Sequence, residues 1–364
     1  MLSLSTDFPG GNLLVDLIEG DTVHLRQDRR DSSEWWFYWS FRIRGAAGRT
    51  VRFVFGDGDV LAAEGPCHSR DGKHWQWLGR ACVEGPGFTH RFADDEDEGW
   101  FALGFPYTES HLDAFLETRP ALRRETLVRS EQGRNVELLR HDATEPKGAV
   151  LLTCRTHACE AMANYVLEGL LELWLSDDPL GAQLRRHLDL FAVPFVDKDG
   201  VEQGDQGKLR TPHDHNRDFL RPARYRSAAA LMDLIDSQAP RWRATIDLHC
   251  PWIRNADNEK LFFVEGPAAG LEAERRLAVA LETIRRGPLP FFASDSYPFG
   301  TGWNLGAAHS LRRYAREHTG SQLACTLEVP YAKSHDTVMT PDAARAFGRD
   351  LACALSLQLF PASS

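Results

Sequence analysis

From residue 106 onward, short apolar runs alternate with amphipathic stretches, and this alternation constrains the fold more than any other feature. The runs Ala149–Cys154, Leu190–Val196, Ala244–Leu248, Leu261–Val264 and Leu323–Val329 read as strands, being short, apolar and bounded by polar or turn residues. Glu160–Leu175, Ser227–Asp236, Leu271–Arg285, Asn304–His318 and Pro341–Leu357 read as amphipathic helices. Strand–helix alternation predicts an α/β sheet with helices on both faces. In such sheets functional groups gather just beyond the carboxyl ends of the strands.

Residues 1–105 follow a different pattern. Glu34–Arg44 is dense in aromatic and β-branched residues, and Arg49–Phe55 alternates in part before stopping at a glycine. Shorter runs follow around His74–Trp77 and Gly99–Phe105, and long helical periodicity is absent. This predicts an N-terminal antiparallel β-sandwich over 1–105, then an α/β domain over 106–364. The acidic run Asp94–Glu98 reads as a solvated loop.

Composition narrows the class. With 43% hydrophobic and 26% charged residues, the chain is an ordinary globular one, and 364 residues suffice for one large domain or two. A net charge of −10 disfavours a general nucleic-acid binder. Seven cysteines, an odd number without a Cys-x-x-Cys pair, read as reduced thiols. The first residues lack a basic region followed by an apolar run, and no run approaches the ~18 apolar residues that span a bilayer. These features predict a cytoplasmic protein without a membrane partner.

Four short motifs sit at or beside strand ends. His157-Ala-Cys-Glu160 follows the first run and opens a helix, so both side chains can face one metal ion. Alone it is a common pair. Asp247-Leu-His249 ends another run and places a third ligand, which would leave an open position of the catalytic type. In Asp214-His-Asn-Arg217 the guanidinium matches a carboxylate with two parallel donors, and Asn216 adds another. Asp214 is suited to orient a metal-bound imidazole. Thr326-Leu-Glu328 puts a carboxylate on a strand end as a candidate general base, with Glu265 as its rival.

This order of motifs, with the segment Asp199-Gly-Val-Glu-Gln-Gly204, resembles the zinc carboxypeptidase family. The aromatic segment Trp35–Arg44 and the junction Phe105-Pro-Tyr-Thr108 resemble its cytosolic branch, which carries a β-domain before the catalytic one. The resemblance implies a mixed central sheet. It implies one zinc per chain on His157, Glu160 and His249, with Asn216 and Arg217 on the substrate carboxylate and Glu328 as the base. The family has Pro-Gly where this chain has Ala158-Cys159, and an oxyanion-side Arg where it has Gly207. Lys208 and Arg210 are the candidate replacements, and Tyr297 and Tyr331 are candidates for a tyrosine that closes over substrate.

The implied partner is a peptide or protein C-terminus, and the implied reaction is hydrolysis of its last peptide bond. Two alternatives share the motifs. One is a same-fold amide hydrolase acting on N-acyl amino acids or cell-wall peptides. The other is a non-catalytic binding protein. A basic pocket for an acidic terminal residue would draw on nearby arginines such as Arg221, Arg224 and Arg254.

Overall fold

The computed structural model describes residues 1–361 apart from 57, 240, 307 and 322. The N-terminal part holds two five-stranded sheets. Ser3–Ser5, Ser40–Arg44, Glu98–Ala102, Cys67–Ser69 and Gln76–Trp77 form one sheet in that spatial order. Leu14–Glu19, Thr22–Arg26, Thr50–Phe55, Gly87–Arg91 and Val83–Glu84 form the other. Alternation turns Phe41 and Phe101 of the first sheet toward Phe53 and Phe88 of the second. Their ring centroids are 4.7–5.4 Å apart, and all four are buried. Pairing is antiparallel except between Thr22–Arg26 and Thr50–Phe55, which run parallel.

The aromatic segment Glu34–Arg44 becomes a strand only at Ser40. Before it, the rings of Trp35, Trp36 and Phe37 turn toward the α/β part, whereas Trp39 stays in the sandwich core against Phe41, Phe55 and Phe88. Trp36 and Phe37 meet Trp252, and Phe37 meets Tyr331 edge-on at 5.6 Å. The acidic run is only partly solvated: Asp94, Asp95 and Asp97 are exposed, but Glu96 is buried.

The α/β part is a seven-stranded mixed sheet. In spatial order it runs Arg123–Arg129, Asn135–His141, Leu188–Val193, Gly148–Cys154, Trp242–His249, Leu323–Glu328, Phe262–Val264. The middle four strands are parallel, and the outer ones pair antiparallel. The middle strands are buried throughout or nearly so, which explains their continuous apolar runs. Helices Met162–Leu175 and Pro341–Leu359 pack together, and Gly169 and Gly348 permit the close approach. A Cβ on Gly169 would lie 1.9 Å from the Arg345 carbonyl oxygen.

Four helical expectations agree with the fold to within a few residues. The fifth, Asn304–His318, shrinks to Leu311–Thr319. Gly306 and His309 have φ of +82° and +63°, which no helix accommodates, and the Ser310 hydroxyl caps the helix by accepting from the Arg313 amide. Residue 307 within this range lies outside the described residues. No described helix is long and apolar enough to cross a membrane.

Candidate metal centre and cleft

The strands Gly148–Cys154, Trp242–His249 and Leu323–Glu328 lie side by side and parallel, with Cys154 opposite Leu248 and His249 opposite Glu328. Their carboxyl ends therefore stop at one level. A cavity of about 260 Å³ opens there, lined by His157, Lys208, Arg217, His249, Arg312 and Glu328 among others.

His157 and Glu160 reach this level from a turn, because the helix begins only at Met162. Arg155 sets the turn. Its φ is +57°, and its guanidinium donates to the carbonyls of Ala158 (2.7 Å) and Tyr107 (2.8 Å). Three donor groups then converge in buried space. His157 Nδ1 lies 3.0 Å from Glu160 Oε1, His249 Nδ1 lies 2.8 Å from Glu160 Oε2, and the two Nδ1 atoms are 3.2 Å apart.

The far side of each ring meets a carboxylate. His249 Nε2 is 2.6 Å from Asp247 Oδ2, and His157 Nε2 is 3.3 Å from Asp214 Oδ1. An ionised carboxylate can only accept, so each Nε2 carries the proton and each Nδ1 turns a lone pair inward. Two lone pairs and a carboxylate facing one another need a cation between them. Donors held ~2.0–2.1 Å from zinc in a tetrahedron are separated by about 3.3 Å, close to what is found. The residues fit a zinc ion. Burial opposes the charged form of His249, but Asp247 and Glu160 outweigh it and raise the imidazole well above its ordinary value. A divalent cation would displace that proton.

Gly207 explains why no arginine stands at its position. Its φ is +77°, and a Cβ there would sit 2.1 Å from the Ala158 amide nitrogen. The next residue carries a cation to the cleft. Lys208 Nζ is 2.7 Å from Glu160 Oε1 and 5.7 Å from the Trp36 ring centre. Burial works against its charge, but Glu160 and Glu328 outweigh burial and raise it. Arg210 turns elsewhere. It is held by Asp197 (2.9 Å), Asp31 and Asp205, so it belongs to a buried ion network outside the cleft.

Glu328 is buried, and its Oε2 has no hydrogen-bond partner among the described residues. Burial pushes its carboxyl above the ordinary value against the pull of Lys208 and His249. Glu265 is committed elsewhere, receiving two hydrogen bonds from Arg275 at 2.8 and 3.1 Å. Asn216 and Arg217 both line the cleft. Among the described residues Asn216 Oδ1 is buried without a partner, and Arg217 donates to the Asn216 carbonyl at 2.8 Å. Asp214 caps this segment by accepting from the Asn216 amide.

Neither candidate tyrosine lines the cleft. Tyr331 is buried with its hydroxyl 3.4 Å from the Cys159 carbonyl oxygen. Tyr297 stacks beneath Trp303 at 4.8 Å, and it is the half-exposed Trp303 that reaches the cleft. Burial disfavours the thiolate form of the cysteines near the site. Burial pushes Cys159 up to about 12 and raises Cys154 and Cys250 well above their ordinary values.

Sequence reasoning missed Arg312. It lines the cleft, is 8% exposed and donates to the Val264 carbonyl, yet no carboxylate of the described residues lies within ion-pair distance. The arginines weighed instead are occupied or exposed: Arg221 pairs with Asp233 and Asp236, Arg254 with Asp59, and Arg224 faces solvent. Nothing local marks Arg312, since it sits in a basic amphipathic helix start. Asp247 had a signal: two residues before His249 on one strand, it shares the same face.

Known proteins share these features. The family model for zinc carboxypeptidases matches residues 108–249. Cytosolic carboxypeptidase 6 of Caenorhabditis elegans is 28% identical over 172 residues, covering 43% of this chain and 38% of the relative. Cytosolic carboxypeptidase 2 of Xenopus tropicalis is 33% identical over 149 residues, covering 36% of this chain and 15% of the relative. The matches thus span well under half the length of these relatives. The crystal structure of a metallo-carboxypeptidase from Burkholderia cenocepacia superposes with a TM-score of 0.82 at 20% identity, covering 98% of both chains. The Pseudomonas aeruginosa metallo-carboxypeptidase in complex with (2-guanidinoethylmercapto)succinic acid gives 0.79 at 20% identity, covering 98% of this chain and 100% of the other. At that identity the two structures establish the shared fold.

Proposed function

We propose that this chain, a member of the zinc carboxypeptidase family, hydrolyses the C-terminal peptide bond of peptides or proteins. The observation that carries the reading is the convergence of His157, Glu160 and His249 donors at 2.8–3.2 Å beside a cleft that also holds Glu328, Asn216 and Arg217.

In this reading His157, Glu160 and His249 hold one zinc, with Asp214 and Asp247 fixing the two rings. Zinc, when bound, supplies Lewis acidity toward a water and toward the scissile carbonyl. Glu328 takes the proton of the attacking water and returns it to the leaving amine; its free Oε2 and burial-raised carboxyl suit both transfers. Lys208 faces the carbonyl oxygen as negative charge grows on it. Arg217 and Asn216 grip the terminal carboxylate, which fixes the scissile bond against Glu328. Arg312, a buried guanidinium with no carboxylate partner among the described residues, favours an acidic last side chain.

The test is mass spectrometry of a glutamate-ended peptide incubated with zinc-loaded protein. Stepwise loss of single residues from the C-terminus is expected. Glu328→Gln should keep zinc while turnover falls by roughly 10²–10⁴-fold. Internal fragments, or activity confined to N-acyl amino acids, would contradict the proposal.

A further inference from the structure

A second cluster of metal-ligating side chains lies in the β-sandwich, on elements the cleft does not touch. His68 comes from the strand Cys67–Ser69 in one sheet, and His90 from Gly87–Arg91 in the other. Glu96 comes from the turn before Glu98–Ala102. His68 Nε2 is 2.9 Å from Glu96 Oε1, and His90 Nε2 is 3.7 Å from the same oxygen. The three side chains are only 5%, 14% and 6% exposed.

None of these three atoms has an aligned hydrogen-bond partner among the described residues. The geometry explains why. The Glu96 turn is closed by its other oxygen, Oε2, which accepts from the Ala93 amide at 3.2 Å, so Oε1 is left pointing at the two rings. The two rings are tilted 35° to each other with centroids 4.4 Å apart, and both rest against Phe101. A buried acidic side chain that meets two imidazole rings is costly unless a cation joins it. Two imidazoles and a carboxylate, with ligand atoms all within 4.8 Å of one another, are a ligand set for a divalent transition metal.

We propose that His68, His90 and Glu96 form a second, structural metal site that takes zinc or a similar divalent ion and pins the two sheets of the sandwich together. The cluster supplies three protein ligands to the ion. This assigns the β-sandwich a metal-dependent stability that is separate from the cleft.

Zinc counting after gel filtration of the full chain tests the site. Wild type should retain two zinc ions per chain and Glu96→Gln one, with hydrolysis retained by the variant. His157→Ala combined with His249→Ala should retain one, and addition of zinc to that double variant should raise its thermal midpoint, since ligand binding to the folded state alone stabilises it. Adding Glu96→Gln to the double variant should abolish both the bound zinc and the rise. Unchanged zinc content in Glu96→Gln, or no bound zinc and no thermal rise in a folded double variant, would overturn the proposal. Failure of the cleft assignment would look different: zinc content would then be insensitive to the two cleft histidines.

Discussion

His157 and His249 turn their Nδ1 atoms to within 3.2 Å of each other, while each ring's Nε2 faces an aspartate. In the proposed function the aspartates belong to the metal site, and Asp247 offers the sharper test. Its Oδ1 accepts from the Thr153 hydroxyl at 2.6 Å, and its Oδ2 faces His249. In Asp247→Asn the Thr153 contact would hold the amide oxygen, leaving the NH₂ toward the imidazole. The ring would then carry its proton on Nδ1, where the metal belongs. Zinc affinity should fall about 10–100-fold, the usual worth of such a partner. Competition with a chromogenic chelator reads this directly, and an unchanged affinity would remove Asp247 from the account.

Arg312 sets the expected preference for the last residue. Arg312→Met keeps length and apolar bulk but removes the guanidinium. Loss of a charge-assisted hydrogen bond of ~1.5–3 kcal/mol should lower kcat/KM for a glutamate-ended peptide by about 10–100-fold. The leucine-ended counterpart should change little. Equal losses on both peptides would mean that Arg312 supports the fold and not selection.

The buried network around Arg210 gives the chain a pH-dependent stability. Burial, then the neighbouring Asp31, pushes Asp205 up to about 7 despite Arg210. An aspartate in the unfolded chain titrates near ~4, so between about pH 4 and 7 the folded state holds a proton that the unfolded state lacks. This contribution is complete below the lower value and is lost as pH rises through the upper one. Asp205→Asn removes it. Denaturation of both proteins at pH 5 and pH 8 should show the variant gaining stability relative to wild type at the higher pH. A difference that is flat or moves the other way would contradict the assignment.

The central strands were legible in the sequence because they are buried on both faces, so composition alone marks them. The hairpin Arg123–Arg129 and Asn135–His141 was not, since its charged side chains pair with partners such as Glu109, Asp113 and Asp142, at least ten residues away in most cases. The same division holds in the cleft. His249 and Glu328 end strands and can be placed from the sequence. Lys208 and Arg210 are two residues apart and alike in charge; what separates them is Asp31, which binds the Arg210 loop from 179 residues away. Arg312 could not be found, because its cleft-facing position depends on the loop before Leu311 that sequence periodicity had extended into helix.

The central claim is exopeptidase action, and it rests on Arg217 meeting a free C-terminal carboxylate. The most direct measurement compares kcat/KM for two peptides that differ only in a free or an amidated C-terminus. Amidation removes the charge and one acceptor, leaving the guanidinium without an ionic partner. The account predicts at least a ~100-fold preference for the free end in wild type, and loss of most of that preference in Arg217→Lys, whose point charge cannot form the two-pronged contact. Equal cleavage of both peptides by the wild-type protein would contradict it, whatever metal the cleft holds.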